Sequence, residues 1–289
     1  MKKISYLLEF FIVIFLIMLF RFFPINFVSL VGGKFFQLIG PRTKSHQTAI
    51  LNIDKVFPNL NLKEKENIIL KSWNNLGKTF IEFVILDRIL NDNNNRIKIV
   101  GLEYLNQIKK KNEQVIFFGI HQANWELLVP IIDKLGINLG AIYRHINNPF
   151  INKLIINIRT KTLHNKNTFY TPKGRESAKD ILSAINKGQS IILLIDQKDS
   201  AGSKVKFFNY NVKTQIGFLK IAKKNNLRLI PVQTIREKVN NFKIIFHPPV
   251  NPFNNHKNDI DVMSEIHKLI EKWIKEYPNQ WLWQHKRFN

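Results

Sequence analysis

The sequence is organised around the stretch VIFFGIHQANWE, Val115 to Glu126. Its first four residues are apolar and favour β-structure, which predicts a buried strand. Leu127-Leu128-Val129 then begins a helix-like segment. A histidine and a carboxylate therefore lie where a strand gives way to a helix, which is where α/β folds usually place their chemistry.

His121 and Glu126 form an H-x4-E pair. On one continuous helix, positions five apart are displaced by about 140° and point apart. The pair works best with His121 in the loop and Glu126 on the first helical turn, where the carboxylate holds one imidazole nitrogen and the other faces substrate. The competing interpretation is a structural loop histidine and an acid favoured by the helix dipole, and the spacing alone does not exclude it.

The composition bounds the class of protein and its partners. A chain of 289 residues can bury a sizeable core. It has no cysteine, which excludes disulfides, thiolate zinc sites and a cysteine nucleophile. Lys and Arg outnumber Asp and Glu by 44 to 21, for a net charge of +23. The charge favours anionic partners such as nucleic acid, an acidic membrane or an acidic carrier protein, although a low-GC genome also enriches lysine.

The amino-terminal segment from Ile4 to Phe23 is almost wholly apolar. Its twenty residues would form a helix of about 30 Å, enough to cross a bilayer. A cleaved signal peptide is the alternative, but no small-x-small cleavage site follows, so residues 1–23 are expected to be a retained membrane anchor. Basic residues flank both ends, so the positive-inside rule gives no orientation.

Residues 24–289 are expected to form one domain, because neither a repeat nor a linker interrupts them. The apolar stretch 24–40 fits a membrane-lying helix and a core helix equally well. Beyond it, strands alternate with helices, which indicates an α/β domain with a central sheet. Strands are predicted at 97–100, 114–118, 139–143, 190–195, 229–232 and 242–246, and helices at 45–57, 62–90, 103–111, 125–135, 150–163, 177–187, 217–225 and 260–277.

Polar side chains collect just beyond predicted strands. Arg144 and Asn148 follow strand 139–143, and Asp196 and Gln197 follow strand 190–195. Each on its own fits a solvated loop, but together they indicate a site at the carboxyl edge of the sheet. The segment 204–208 is predicted to be a loop, whose two phenylalanines fit either a lipid-contacting edge or a core strand. The remaining histidines have no spacing typical of a metal site.

Several of these motifs resemble one family. The H-x4-E element resembles the H-x4-D/E motif of glycerolipid and lipid A acyltransferases. The most specific part is the carboxyl-terminal P-x2-W-x-W-x-H-x-R-F, Pro278 to Phe288, which is similar to a signature of the late acyltransferases of lipid A. Further similar segments are Asn52, Phe57-Pro58, Tyr143 to Pro149, Asp196-Gln197 and Phe207-Phe208. Lys206 and Asn209 depart from the pattern, which leaves acceptor and acyl-chain preference open.

The resemblance implies a single glycerolipid-acyltransferase-like α/β domain, with a central mixed sheet flanked by helices and an amino-terminal membrane helix. It implies a bacterial inner-membrane enzyme, single-pass or monotopic, acting at the cytoplasmic face. The enzyme would move an acyl group from acyl carrier protein, or from coenzyme A, to a hydroxyl of a lipid A precursor. No cofactor or metal is expected. A glycerolipid or lysophospholipid acyltransferase is the alternative, and a nucleic-acid partner is disfavoured because no aromatic residues interleave with a basic stripe.

The resemblance also suggests roles for individual residues. His121 would be the general base, and Glu126 would fix its tautomer. Without a cysteine, direct transfer in a ternary complex is the simplest scheme. Backbone N–H groups near Asn124 are an alternative source of oxyanion stabilisation. Asp196 would brace the site by pairing with an arginine. The residues expected to bind substrate or the oxyanion are Arg144, Asn148, Arg159, Asp196 and Gln197.

Overall fold

The computed structural model describes residues 2–92, 95–251 and 258–288, and a seven-stranded sheet lies at its centre. The strands are β1 (Ile97–Val100), β2 (Val115–Gly119), β3 (Leu139–Tyr143), β4 (Phe169–Pro172), β5 (Ser190–Leu194), β6 (Lys198–Phe207), β7 (Tyr210–Thr214), β8 (Arg228–Lys238) and β9 (Asn241–Phe246). Their order in the sheet is β1-β9-β8-β2-β5-β3-β4, while β6 and β7 form a separate hairpin. Strands β8 and β9 pair antiparallel and the other neighbours pair in parallel, so the predicted mixed sheet is confirmed.

Helices cover both faces of the sheet. They are α1 (Lys2–Arg21), α2 (Ile25–Ile39), α3 (Lys44–Val56), α4 (Leu62–Val84), α5 (Leu86–Leu90), α6 (Leu102–Lys110), α7 (Leu128–Lys134), α8 (Pro149–Lys161), α9 (Arg175–Asn186), α10 (Gly217–Lys224) and α11 (Asp259–Glu276), with short 3₁₀ turns at 40–42, 125–127 and 278–280. Side chains alternate across a strand, so β2 supplies Phe118 to one core and Phe117 to the other. Burial on both faces explains why its sequence is continuously apolar.

The structure differs from the predicted elements in several places. Strand β4 was not predicted, because its Pro172 and polar surroundings resemble a loop. Residues 204–207 were predicted to lie in a loop and instead belong to β6. Lysines alternate there with buried Val205 and Phe207, the pattern of a half-buried strand. Phe207 and Phe208 both lie in the core, which decides between the two interpretations left open. The helix predicted over 62–90 breaks at Ile85.

Helix α1 contacts the domain at both of its ends, through Asn148 on one side and through Asp87 on the other. Over Lys3–Arg21 it is long and apolar enough to cross a membrane, and none of that stretch is buried. It contacts α8 near its amino end, where the Asn148 side chain donates to the Tyr6 carbonyl and to the Glu9 carboxylate, both at 2.9 Å. The Phe10 and Phe150 rings lie 5.7 Å apart at the same contact. The helix therefore has the dimensions of the predicted anchor and is tied to the domain through α8.

Helix α2 has one packed face and one exposed apolar face. One face packs closely on α4, where a Cβ added to Gly77 would lie 2.3 Å from the Gly32 carbonyl oxygen. Glycine is required on both helices for this approach, because any larger residue would separate them. The opposite face of α2 exposes apolar side chains, namely Phe27, Leu30, Val31, Phe35 and Leu38.

The sheet opens between β3 and β5 at its carboxyl edge. Their pairing runs only from Leu139 with Ser190 to Ala141 with Ile192. Beyond that point β3 pairs with β4 alone, and β5 pairs with β2 alone as far as Leu194 with Gly119. A cleft therefore begins inside the sheet, next to the loops that follow β2 and β5.

Candidate active site

The imidazole of His121 is held by a carboxylate from the neighbouring strand. Gly119 ends β2 and Leu194 ends β5, and these two residues are paired in register. His121 and Asp196 each follow two residues later, so parallel pairing brings them together. Asp196 Oδ1 lies 2.7 Å from His121 Nδ1, and Asp196 Oδ2 accepts the backbone N–H of His121 at 3.0 Å. One carboxylate therefore fixes both the ring and the backbone of the histidine.

Asp196 is buried and remains ionised. Its Oδ2 also accepts the indole N–H of Trp281 at 2.8 Å. Burial is the largest influence and raises the pKa of Asp196, but it is outweighed by the attraction of His121 and by the hydrogen bonds from His121 and Trp281, which lower that pKa to about 2. An ionised acceptor at Nδ1 places the proton of a neutral imidazole on that nitrogen, which makes Nε2 the hydrogen-bond acceptor of the ring.

The Nε2 side of His121 faces a cavity. Gln197 Nε2 lies 3.2 Å from His121 Nε2, and both side chains line this cavity. The Trp125 ring packs edge-on against the imidazole, with 5.1 Å between ring centroids. The imidazole is therefore oriented on one side by Asp196 and supported on its face by an aromatic ring.

Glu126 does not contact the imidazole, and the predicted contact between them is wrong. Both ring nitrogens of His121 have other partners. Glu126 instead forms a two-point ion pair with Arg159, whose Nε and one terminal nitrogen donate to it at 3.0 and 2.8 Å. Asp196, expected to pair with an arginine, is the residue that pairs with His121. The strand order explains why the two carboxylates have each other's predicted partners. The end of β5 lies beside His121, whereas Glu126 lies on the 3₁₀ turn that faces α8.

Arg159 is surrounded by aromatic rings. Its guanidinium carbon lies 5.4 Å from the centroid of Phe83, 5.7 Å from Tyr143 and 5.5 Å from Tyr170. Burial is the largest influence on the pKa of Arg159 and lowers it, but the charge and hydrogen bonds of Glu126, with smaller contributions from the two tyrosines, raise it overall. The guanidinium therefore keeps its charge inside the protein. The faces of the surrounding aromatic rings attract cations and favour this charged form.

The cavity beside His121 has a volume of about 620 Å³ and enters the opening between β3 and β5. Apolar side chains form much of its wall, while Arg144, Lys173 and Lys198 line it with positive charge. Other lining residues are Leu128, Ala141, Ile142, Ile181, Ile191, Ile192, Leu193, Phe218 and Ile221. Such a cavity can hold a long apolar group and an anionic group together.

Most of the predicted site residues converge here. His121, Glu126, Arg144, Arg159 and Gln197 line the cavity, and Asp196 lies directly behind His121.

Asn148 does not line the cavity. Its side-chain oxygen caps α8 by accepting the N–H groups of Phe150 and Ile151, while its amide donates to α1. A substrate contact for Asn148 does not fit this placement, because the asparagine signal in the sequence was that of a helix cap.

Sequence reasoning missed a group of buried polar side chains behind the loop. Glu82, Thr79 and Asn75 lie on α4, Arg236 on β8, and Asn124 in the loop itself. They contact one another and the backbone between His121 and Glu126. The available signal was the spacing of four and three residues on α4, which places three polar groups on one buried face of the helix.

The carboxyl-terminal signature is mainly structural. Trp281 reaches Asp196, as described above, and its backbone bridges to Gln122. The Asn52 side chain on α3 donates to the carbonyls of Trp283 and His285, both at 2.7 Å. Arg287 is buried and donates to the Lys213 carbonyl and to the Thr214 hydroxyl on β7. The segment therefore ties α3, the hairpin and the site into one body.

The chain is similar to known proteins along nearly its whole length. The family model described as bacterial lipid A biosynthesis acyltransferase matches residues 1–289. The lipid A biosynthesis palmitoleoyltransferase of Escherichia coli (strain K12) is 24% identical over 92% of this chain and 86% of its own. The lauroyltransferase of the same strain is 23% identical over 82% of this chain and 76% of its own. The myristoyltransferase of that strain is 21% identical over 87% and 76%, respectively.

Among solved structures, the chain is similar to the 1-acyl-sn-glycerophosphate acyltransferase PlsC from Thermotoga maritima. The TM-score is 0.41 and the sequence identity is 14%, covering 87% of this chain and 96% of that one. The match of the family model to the full chain shows the family directly. The chain is therefore a member of the bacterial lipid A biosynthesis acyltransferases, and so an enzyme that transfers acyl groups in the biosynthesis of lipid A.

Proposed function

We propose that this enzyme transfers a fatty acyl group from acyl carrier protein to a hydroxyl of a lipid A precursor, with His121 as general base and Asp196 as its orienting acid. The observation that carries the proposal is the 2.7 Å contact between Asp196 Oδ1 and His121 Nδ1 beside a cavity that Nε2 faces. The acceptor hydroxyl belongs to a 3-hydroxyacyl chain already on the disaccharide.

In the proposed reaction, His121 Nε2 takes the proton of the hydroxyl as its oxygen attacks the thioester carbonyl. A C–O bond forms, and the C–S bond breaks when the tetrahedral intermediate collapses. The imidazolium then returns its proton to the leaving thiolate, so the histidine ends as it began. Asp196 holds the tautomer and stabilises the imidazolium, and base catalysis of this kind contributes on the order of 10²–10⁴-fold.

Arg159 is the proposed stabiliser of the oxyanion. It lines the cavity within the protein, where a charge acts with little screening by water. Arg144 is exposed and better suited to a head-group phosphate. The backbone alternative near Asn124 is narrowed to the N–H groups of Asn124 and Trp125, because those of Ala123 and Glu126 donate to the Gln280 carbonyl and to the Asn124 side chain. Glu126 is assigned a positioning role, since it accepts hydrogen bonds from two nitrogens of the Arg159 guanidinium.

The surroundings of the site fit a long-chain lipid reaction. The apolar opening between β3 and β5 would take the acyl chain, and the basic side chains Lys173 and Lys198 would meet the anionic head group. Helix α1 and the exposed face of α2 would place the domain at the cytoplasmic surface of the bacterial inner membrane, whose anionic lipids suit a net charge of +23. The acidic carrier protein would be attracted by the same charge.

The test is acyl transfer by the detergent-solubilised enzyme and by His121→Ala. Donors are carrier-protein thioesters including lauroyl, myristoyl and palmitoleoyl groups, with coenzyme A thioesters alongside. The acceptor is a tetra-acylated lipid A precursor carrying its inner sugar acids. We expect one chain to be added, with a loss in the variant of about 10²–10⁴-fold. Acylation of lysophosphatidate instead would overturn the acceptor assignment, and an equally active variant would overturn the role of His121.

A further inference from the structure

Helix α4 presents three polar side chains to the loop between His121 and Glu126. Asn75, Thr79 and Glu82 lie on the face that packs against this loop. The Thr79 hydroxyl donates to the Ala123 carbonyl at 2.7 Å, and the Asn75 amide donates to the same oxygen at 3.4 Å. Ala123 has a φ of +51°, a conformation that costs an alanine free energy and persists only where its surroundings impose it. The two hydrogen bonds from α4 supply that constraint.

Glu82 binds the next residue of the loop, Asn124. Its carboxylate is fully buried, and its Oε2 accepts the side-chain amide of Asn124 at 2.9 Å. The oxygen of the same Asn124 side chain accepts the backbone N–H of Glu126 at 3.2 Å. A single amide therefore connects a carboxylate on α4 to the turn that carries Glu126, and Glu126 in turn holds Arg159.

Arg236 joins the three α4 side chains into one unit. Its two terminal nitrogens donate to the Glu82 carboxylate at 2.5 and 2.9 Å, and its Nε donates to Asn75 at 2.9 Å. One terminal nitrogen also reaches the Thr79 hydroxyl at 3.3 Å. Because β8 lies beside β2 in the sheet, the guanidinium anchors α4 to the strand next to the one that leads to His121.

Stability alone does not account for this arrangement. Burying a carboxylate and a guanidinium requires removing both from water, and apolar residues of similar volume often give a fold that is equally stable. A fully paired polar network does fix one geometry, because every member has few alternatives. The network contacts Ala123 and Asn124, two of the four residues that separate the His121–Asp196 pair from the Glu126–Arg159 pair.

We infer that Glu82, together with Arg236 and Asn124, is a positioning group that sets the distance and orientation between the His121 base and the Glu126–Arg159 pair. The inference rests on the proposed function, in which the first pair takes the proton of the acceptor hydroxyl and the second stabilises the oxyanion formed from the thioester carbonyl. Loss of the network would leave the base and the oxyanion donor present but misplaced. A displacement of about 1 Å in such a site lowers the rate by about 10²-fold.

The test replaces the buried pair while preserving a packed interior. The variant is Glu82→Leu/Arg236→Met, which removes both charges and the hold on Asn124. We expect a folded protein whose kcat falls by about 10²-fold with little change in KM, because chemistry rather than binding is disturbed. Hydrogen exchange at the amides of residues 121–127 should become faster, and this readout does not depend on activity. Asn124→Ala, which leaves the ion pair intact, should shift both readouts in the same direction.

The matched control is Glu113→Leu/Arg228→Met. Glu113 and Arg228 form a carboxylate–guanidinium pair at the amino ends of β2 and β8, the edge of the sheet opposite the site. The control should keep the wild-type kcat and the exchange of residues 121–127. The inference fails if the Glu82→Leu/Arg236→Met and Asn124→Ala variants keep the wild-type kcat and the wild-type exchange rates. It also fails if kcat falls as much in the control as in these variants. If the wild type transfers no acyl group, the proposed function fails, and the exchange rates alone decide whether the network positions the loop.

Discussion

The site contains two carboxylates that hold basic side chains in different ways. Asp196 is buried behind His121, accepts three hydrogen bonds and presents its partner to the cavity. Glu126 lies on the cavity wall and holds Arg159, a group that is charged with or without it. The first carboxylate controls where a proton resides, whereas the second controls where a permanent charge points. The acid nearest in sequence to His121, the proposed base, is therefore not the acid that orients it.

The largest expected effect comes from Asp196→Asn. An amide at this position no longer favours the proton on Nδ1, so the imidazole loses the tautomer that base catalysis requires. We expect kcat to fall by about 10²-fold, with KM nearly unchanged. Steady-state kinetics with the lipid A precursor measure both constants. A smaller loss than in Glu126→Gln would reverse the comparison and restore Glu126 as the orienting acid.

The same carboxylate should make stability depend on pH in the acid range. The pKa of Asp196 lies at about 2 in the folded protein, below its ordinary 3.8. A lowered pKa stabilises the fold above about pH 4, and this stabilisation is lost as the pH falls from 4 towards 2. The contribution is about 2 kcal/mol. Chemical unfolding between pH 2 and 5 would measure how the free energy of unfolding changes with pH. Asp196→Asn should lack the part of this change that Asp196 causes, whereas Asp87→Asn, at an exposed site, should retain it.

Glu126→Gln should have a more moderate effect. The hydrogen bonds of a charged pair contribute about 1.5 kcal/mol or more, so releasing Arg159 should lower kcat by about 10-fold. The pH profile of kcat should keep its shape, because the proton on His121 is set by Asp196. A profile displaced as in Asp196→Asn would show that Glu126 also governs the protonation of the imidazole.

Trp281→Phe is expected to have the smallest effect. It removes one of the three hydrogen bonds to Asp196 and leaves the two from His121. A hydrogen bond to a carboxylate stabilises the fold by about 1.5–3 kcal/mol, but the two bonds from His121 keep the carboxylate in place, so kcat should fall by only about 3-fold. A loss as large as that of Asp196→Asn would mean that the indole, rather than the imidazole, fixes the carboxylate in place.

The fold was largely predictable where burial produces a simple pattern. The strands at 97–100 and 139–143 were predicted with the observed bounds. The hairpin was missed because its exposed face is rich in lysine, including the paired Lys204 and Lys213, and such a segment resembles a charged loop. Strand β4 is short and ends in proline, so nothing in its sequence separates it from the surrounding turns.

The site was predictable in its members but not in their pairing. His121 and Asp196 are 75 positions apart, and only the adjacency of β2 and β5 brings them together. Strand order depends on the whole fold and leaves no local trace in the sequence. The polar face of α4 was hidden for a related reason, because Asn75, Thr79 and Glu82 resemble solvent-facing positions of an amphipathic helix until a second element is placed over them.

The short seam between β3 and β5 has a mechanical consequence. Three residue pairs join these strands, whereas four join β2 to β5 and four join β3 to β4. Strands β3 and β4, which carry Tyr143 and Tyr170, are therefore attached to the other five strands along a line with few paired residues. The cavity begins where that line ends. A tilt of these two strands about that line would therefore change the width of the cavity.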